Sequence, residues 1–399
     1  MRYRLLIIML CGPLVLAGCW SNQELDDTVL VEGVGIGKGT NGDLQLVVEL
    51  IKPTGQTGGS ESEEQGSELS LVLDNTGDTL LEIARDFIRY SKRRLNFTHS
   101  LVWIVEHDLA KKKEFTKALD ILRRDKMLRL SSFLFISEAD SDLTDILSTP
   151  TLYEDLTSTE LVSALEQTQF SMDYATIKLR EFYELLEEPI NSAYVPVIKT
   201  KQVGEQTITV IEGTAVIRDN QMIGKLNLRE TIGLKWLLER VKGGTVSVST
   251  GEKGKKAGIE ISDTNTTLKT RMEEGQLQAQ VNVEVEGTLS DNMTDGNINE
   301  AFFKEVEQKV SKDIKQTIQD TLDTLQNDFK ADITGIGVKL YQTHPKQWNA
   351  VASDWHNDIF PNADISVHVD TNLTHQGLIN ESIDQNSRKP HNNPYRFGK

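Results

Sequence analysis

The thiol of Cys19 has more chemistry open to it than any other side chain in this 399-residue sequence. It closes the tetrad Leu16-Ala17-Gly18-Cys19. A cysteine made N-terminal by cleavage can be alkylated by a diacylglyceryl group. Ahead of it, Arg2 and Arg4 form a positive start, and Leu5 to Leu16 form a short apolar run interrupted by Gly12-Pro13. A basic start, an apolar run and a small-residue exit make a secretory leader, and the run falls short of the roughly 20 apolar residues needed to cross a bilayer. The sequence therefore predicts a lipoprotein signal peptide at 1–18, cleavage before Cys19, and a lipid anchor on that thiol. The alternative is an ordinary secretory leader cut elsewhere. One acyl chain holds a protein only marginally, so a diacylglyceryl group is the sensible anchor.

The remaining reactive residue types give less. The chain has 2 Cys, and Cys11 leaves with the leader, so disulfides, thiolate metal sites and a catalytic thiol are unavailable. Of 7 His, His344 and His356 come closest to a metal cluster, the latter within Asp354-Trp355-His356-Asn357-Asp358. They lack the HExxH or HxH spacing of a zinc site, which favours loop and surface placement. His99, just before a strand, suits a structural hydrogen bond. No GxSxG or SxxK is present, and with 60 acidic residues carboxylate pairs are inevitable and select nothing. The run Gly33 to Thr40 invites a phosphate-loop reading, but Gly37-Lys38 would need Gly at position 32, where Glu32 stands. Its glycines read instead as a strand approached closely by a neighbour. No catalytic residue, cofactor site or metal site is assigned.

Net charge is −17, and losing Arg2 and Arg4 takes it to −19. Such a body is repelled by nucleic acid and by anionic lipid, so nucleic acid is not a partner and membrane residence must come from the acyl group or from other proteins. Extended, ten residues reach at most ~35 Å. The first strand, from Val29, must then begin close to the bilayer.

Periodicity predicts an α+β chain with an α/β domain of mixed sheet at 19–198 and an α+β domain at 199–379. In the first half, Val29–Lys38 and Leu44–Lys52 alternate as strands joined through Asn41-Gly42-Asp43. Residues 53–68 form an acidic Gly/Ser loop. Strands at Leu69–Leu73, Leu101–Val105 and Phe133–Ile136 then alternate with helical faces, the first carrying Leu80, Leu81, Ala84, Phe87 and Ile88. The order argues for parallel strands. Helices around Leu161–Leu165 and Leu179–Leu186 follow, and Pro189 and Pro196 punctuate a linker. The second half offers antiparallel strands at 207–226, a helix carrying Leu234, Leu237, Leu238 and Val241, and further strands near 245–250, 257–270 and 276–289. Apolar residues then recur from Phe302 to Phe329 at spacings of four with one three, a long amphipathic helix lying across a sheet. A strand at Asp364–Thr371 precedes a polar tail at 380–399, read as disordered.

Several blocks resemble the Ger(x)C family of spore-germination lipoproteins, the C component of nutrient germinant receptors. Cys19-Trp20 with Glu24-Leu25 is similar to that family's mature start. Phe97-Thr98-His99-Ser100-Leu101, with Glu106 and Leu109-Ala110, resembles its "F-S-H" strand and helix. Gly213 to Leu226 with Glu230-Thr231 and Gly233 resembles its "G-x-A-V-F-K-x-D-K-x-V-G-x-L" block, and Asp332 to Gly337, Pro345 and Trp348 its closing "D-x-x-G-x-G … P-x-x-W" block. Ser21 and Gln23 depart from the family's usual Asp and Arg. The resemblance implies a subunit that assembles with integral membrane A-type and B-type receptor subunits on the outer face of the spore inner membrane.

A free-standing solute-binding lipoprotein of a transporter is the main rival. It would share the anchor and hold ligand beyond the strand ends, with Asp74-Asn75-Thr76-Gly77-Asp78 as one possible cradle. A peptidoglycan-cleaving lipoprotein is a third reading.

Overall fold

A computed structural model describes residues 27–39, 43–52, 70–124, 128–167, 171–250, 255–292 and 299–374. Cys19, the leader, the turn at 41–42, the acidic loop and the tail lie outside these residues.

A nine-stranded mixed sheet forms the first layer. Strands β1 (Thr28–Lys38), β2 (Leu44–Ile51), β3 (Ser70–Gly77), β4 (Arg94–Asn96), β5 (Val102–Val105), β6 (Phe133–Ser137), β7 (Ser192–Val203), β8 (Gln206–Arg218) and β9 (Gln221–Leu226) build it. The path runs β3-β2-β1-β5-β6-β7-β8-β9, with β4 pairing the start of β1. Neighbours from β1 through β5 and β6 to β7 are parallel, while β2, β3, β8 and β9 join antiparallel. The expected parallel order thus holds only at the centre. The pairs β1–β2, β7–β8 and β8–β9, joined by short turns, pair antiparallel and flank it, and β3 adds antiparallel to β2 after the 52–69 segment.

Alternation along the central strands gives two buried faces. Trp103, Val105, Leu134 and Ile136 face one core, and Val102, Ile104 and Phe135 face the other. On the first face lie α1 (Leu80–Asp86), α2 (Ile88–Ser91), α3 (His107–Ala110), α4 (Glu114–Arg124) and, later in the chain, the helix Leu179–Glu187. On the second lie α5 (Leu143–Leu147) and α6 (Thr157–Glu166), and α7 is the name kept for Leu179–Glu187. The glycines of β1 bear out the close-approach reading. A Cβ on Gly33 would lie 2.9 Å from Leu147 Cδ2, and one on Gly37 3.0 Å from Leu143 Cδ1, so α5 rests directly on that strand.

Three expectations change here. The segment after Pro189 is strand β7, whose residues from Ser192 to Ile198 are all buried. Pro196 cannot donate to a ladder, and the pairing accommodates it with a bulge between Pro196 and Ile198 opposite Gly213, which takes φ +97°. The division expected at 198/199 falls inside β7, and β8 and β9 extend the same sheet. In the helix at 80–91, Leu80, Ile83 and Phe87 are buried while Leu81 and Ile88 are exposed. Leu81 and Ile88 each stand about 100° or more around the helix from the Leu80–Ile83–Phe87 stripe.

Helix α8 (Leu228–Leu237) leads into the second layer, a four-stranded sheet of β10 (Gly244–Ser249), β11 (Lys256–Glu273), β12 (Gln276–Asn292) and β13 (Asp364–Thr374). The first three pair antiparallel as expected, but β13 runs parallel to β12. The chain returns to that edge only after the long helix α9 (Glu300–Asp323) and the helices α10 (Ile336–Thr343) and α11 (Pro345–Val351). Helix α9 lies on this sheet with Val306, Val310, Ile314, Ile318 and Leu322 buried. Ser311 Oγ donates to Thr371 Oγ1 at 2.8 Å, and Leu373 N donates to Glu307 Oε1 at 3.0 Å. The core-helix reading is correct. One apolar core runs continuously from β1 to β13 through both layers.

Candidate functional site

Two of the motif blocks, Gly213–Gly233 and Asp332–Trp348, meet where the two layers join and brace them. At the start of α8, Asn227 and Glu230 form a reciprocal capping box: Glu230 N donates to Asn227 Oδ1 at 3.0 Å and Asn227 N to Glu230 Oε2 at 2.8 Å. The other oxygen of Glu230 accepts from Thr324 Oγ1 at 2.7 Å, and its carbonyl accepts from Thr321 Oγ1 at 3.0 Å. Thr231 Oγ1 donates to Thr214 Oγ1 on β8 at 3.0 Å. One turn on, a Cβ at Gly233 would overlap Thr321 Oγ1 and come within 2.5 Å of Thr317 O, so α9 crosses α8 at glycine contact. Gly224 lies under the Phe329 ring in the same way. Between them, Arg218 Nη1 donates to the carbonyls of Phe329 and Lys330 at 3.0 and 2.9 Å, satisfying groups a helix end leaves open. The hairpin turn Asp219-Asn220 has φ 51° and 65°, the pair of left-handed residues a two-residue β-turn needs.

The closing block is organised by Asp332, which is 2% exposed. Its Oδ1 accepts from Thr334 N at 3.0 Å and Thr334 Oγ1 at 2.7 Å. Its Oδ2 accepts from Gly337 N at 2.8 Å and Trp355 Nε1 at 3.2 Å. Trp355 packs on Trp348 with centroids 4.9 Å apart, and Pro345 opens α11 where its missing N–H costs nothing. His356, expected on a loop surface, is half-buried instead: its ring Nε2 lies 2.8 Å from Ile190 O and 3.3 Å from Ser192 Oγ, at the entrance to β7. His344 does sit between α10 and α11 in the open. Among the described residues no group of three His, Cys, Asp or Glu could hold a metal ion.

In the first layer, Asn96 Oδ1 accepts from Thr98 N and Oγ1 at 3.0 and 2.7 Å, closing a tight turn. Ser100 Oγ donates to Phe97 O at 2.9 Å and accepts from Trp103 Nε1 at 3.2 Å. His99 is exposed beside this turn, and its charge, with that of Arg129, counters the burial that raises the Glu32 carboxyl.

Two buried charges have no signature in the sequence. Glu49 on β2 is fully buried, and its oxygens accept from Thr157 N at 2.8 Å and Ser158 N at 3.0 Å. It caps α6 from a distant strand, because the local N-cap, Leu156, has no side-chain acceptor. Burial raises its pKa, and these hydrogen bonds pull it back. Lys235 on α8 is 2% exposed, donates to Ser171 O at 3.2 Å, and is pushed down to about 8 by burial, which Asp173 partly opposes. Beside Glu49 an open cleft of about 520 Å³ is lined by residues including Lys52, Ser70, Thr151 and Asp155. The cradle considered at Asp74–Gly77 is not a turn: these residues belong to β3, and Asp74 Oδ2 accepts from Gln45 Nε2 at 3.3 Å.

Two family matches follow one another along the chain. Residues 21–200 match the "Spore germination protein N-terminal domain", and residues 212–377 match "Spore germination B3/GerAC like, C-terminal". The chain belongs to the GerAC-like spore-germination family. It is similar to spore germination protein KC of Bacillus subtilis (strain 168), 23% identical with 95% of this chain and 97% of that protein covered. Spore germination proteins B3 and A3 of the same organism are 20% and 24% identical, covering 93% and 92% of this chain and 97% and 96% of theirs. The crystal structure of the GerBC protein shares the fold at a TM-score of 0.53 and 19% identity, covering 86% of this chain and 96% of that one. In this family member the blocks at Gly213–Gly233 and Asp332–Trp348 coincide with braces between its layers, and Phe97–Leu101 with a turn inside the first layer. Among its described residues no helix is long and apolar enough to cross a membrane.

Proposed function

We propose that this chain is the lipid-anchored, non-catalytic subunit of a spore nutrient germinant receptor. Acylated Cys19 holds it on the outer face of the spore inner membrane, where its surfaces hold integral A-type and B-type subunits that bind nutrient and pass ions. The observation that carries the reading is that both halves of the chain match, in order, the two parts of one spore-germination family. The geometry is in keeping with it. Gly224, Gly233, Glu230, Asp332 and Arg218 lock two sheets into one body, and a rigid body suits a subunit whose work is to hold others.

The test combines fractionation with co-purification. The Cys19→Ala chain should fold as the parent does yet leave the spore membrane fraction, and a tagged parent chain should bring integral membrane subunits out of detergent-treated membranes. Full membrane retention and normal germination of Cys19→Ala would refute the anchor. Tight binding of an amino acid or sugar by the isolated chain in equilibrium dialysis, with no subunits retained, would favour the solute-binding reading.

A further inference from the structure

Among the described residues of this acidic protein, the edge from which the chain continues toward Cys19 carries a run of cations. From Phe87 to Val105 the sequence holds Arg89, Lys92, Arg93 and Arg94 and not one Asp or Glu, in a chain of net charge −17. Strand pairing fixes where these cations lie. β4 runs parallel to the first residues of β1, with Thr28 opposite Arg94 and Leu30 opposite Asn96. Helices α1 and α2 run back from the far end of the sheet, where Gly77 pairs with Leu44 and Leu44 with Lys38, and end beside Thr28. Thr28 follows Cys19 by nine positions, at most about 30 Å of extended chain.

The edge is also apolar and held firmly. Ile88 is 41% exposed and Tyr90 59%, unlike the buried Phe87 against which Tyr90 packs edge-on at 6.4 Å. Lys92 takes the left-handed conformation at φ 60° and ends α2, with its N–H on Ile88 O at 3.0 Å. Ser91 Oγ bonds both Phe87 O at 2.9 Å and Arg93 O at 2.6 Å. Among the described residues none of the four cations enters an ion pair; the one polar bond their side chains make is Lys92 Nζ to Arg89 O at 2.8 Å. Among the described residues Asp27 and Asp86 adjoin the run and offset two of its four charges, and Glu24 and Asp26 precede Asp27 in the sequence.

We infer that Ile88, Arg89, Tyr90, Lys92 and Arg94 form a docking surface for anionic phospholipid headgroups, which sets the body's orientation on the membrane. An aromatic and an aliphatic tip among unpaired cations is the composition that settles at a headgroup layer. Each cation near an anionic leaflet is worth about a fivefold shift in the docking equilibrium. The acyl group holds the chain at the bilayer, and this edge decides which way it faces. The inference rests on the lipid-anchor reading, and the experiment separates the two.

In the acylated chain Cys19 is blocked and Cys11 is gone, so Tyr90→Cys supplies a lone thiol for a nitroxide spin label. The labelled chain is reconstituted in phosphatidylcholine vesicles with and without phosphatidylglycerol. On the anionic vesicles the label should gain oxygen collisions and lose contact with a water-soluble nickel chelate. High salt, or Arg89→Gln with Lys92→Gln and Arg94→Gln, should return it to water at unchanged thermal stability. A label at Lys112→Cys, in the exposed Lys111–Lys113 run beyond the other end of β5, should stay in water throughout. Label 90 in water on anionic vesicles would overturn the docking surface, as would equal protection on neutral ones. Contact appearing only after integral membrane proteins are added would assign this edge to a protein and overturn it too. A second labelled thiol at position 19, seen by mass spectrometry, would instead mark failure of the anchor.

Discussion

Lys235→Met should make this protein more stable at neutral pH. The ammonium sits between the two sheets, 2% exposed, with Ser171 O at 3.2 Å as its hydrogen-bond acceptor. Burial takes its pKa from 10.5 to about 8, a difference that corresponds to about 3 kcal/mol of preference for the neutral form. Methionine keeps the aliphatic stem and removes the charge, while the Ser171 carbonyl loses its donor at about 1 kcal/mol. The expected gain at pH 7 is therefore about 2 kcal/mol. The sign follows from proton counting. Between pH 8 and 10.5 the unfolded chain keeps the lysine proton and the folded chain sheds it, so the parent gains up to about 1.4 kcal/mol per pH unit from this group. Below pH 8 the full cost remains. The advantage of Lys235→Met should be largest at pH 7 and shrink steadily toward pH 10. Urea denaturation followed by circular dichroism at pH 7, 8, 9 and 10 measures it. A variant less stable than the parent at pH 7, or an advantage unchanged at pH 10, would show that the folded protein holds the ammonium favourably and refute the reasoning.

Other substitutions test the braces. Glu49→Ala removes a cap and leaves two buried N–H groups of α6 without an acceptor, which should cost about 3–5 kcal/mol in the same assay. Because burial raises Glu49, the pH-dependent part of its contribution is fullest below about pH 4.5 and is lost as pH rises through the folded pKa, while the two cap hydrogen bonds remain; Glu49→Gln should flatten that slope. Gly233→Ala drives a methyl into Thr321 and Thr317 where α8 crosses α9, and should cost at least about 2 kcal/mol, with partial rescue by Thr321→Ala, which removes the hydroxyl nearest the added methyl. Asp332→Ala frees Gly337 N, Thr334 and Trp355 Nε1, and should cost about 3 kcal/mol and change near-ultraviolet dichroism through Trp355.

The elements legible in the sequence are those whose own residues carry their period. Helix α9 announces itself because Val306, Val310, Ile314 and Ile318 repeat at the helical spacing along one face. The hairpin β8–β9 announces itself through Asp219-Asn220, which tolerate positive φ. Strand β7 was hidden by Pro189 and Pro196, since a proline reads locally as a break and only the bulge opposite Gly213 makes room for it. Helices α10 and α11 were hidden as well: they are short, and with only Ile336, Gly337 and Leu340 buried in one and Trp348 in the other, neither is long enough to show a helical period. The roles of Glu49 and Lys235 left no trace because each depends on partners far along the chain, and the run Arg89–Arg94, visible in the sequence, takes its place only from the fold. Glu49 meets Thr157 across 108 positions, and Arg94 reaches the start of β1 only by strand pairing.

By itself the sequence determined the class of the fold, the long core helix, the close-packed glycines of β1 and the spore-germination family. These are properties of spacing and residue type, which a chain carries before it folds. Tertiary structure alone decided what the motif residues are for. Hydrogen bonds such as Glu230 to Thr324 and Asp332 to Trp355 join groups that share no local pattern, and a buried polar group must find its partner wherever the fold brings one within about 3 Å. The same holds for charge. Summed along the chain it says repulsion from an anionic membrane, but the fold sets the run Arg89–Arg94 beside Thr28, where the chain continues toward Cys19.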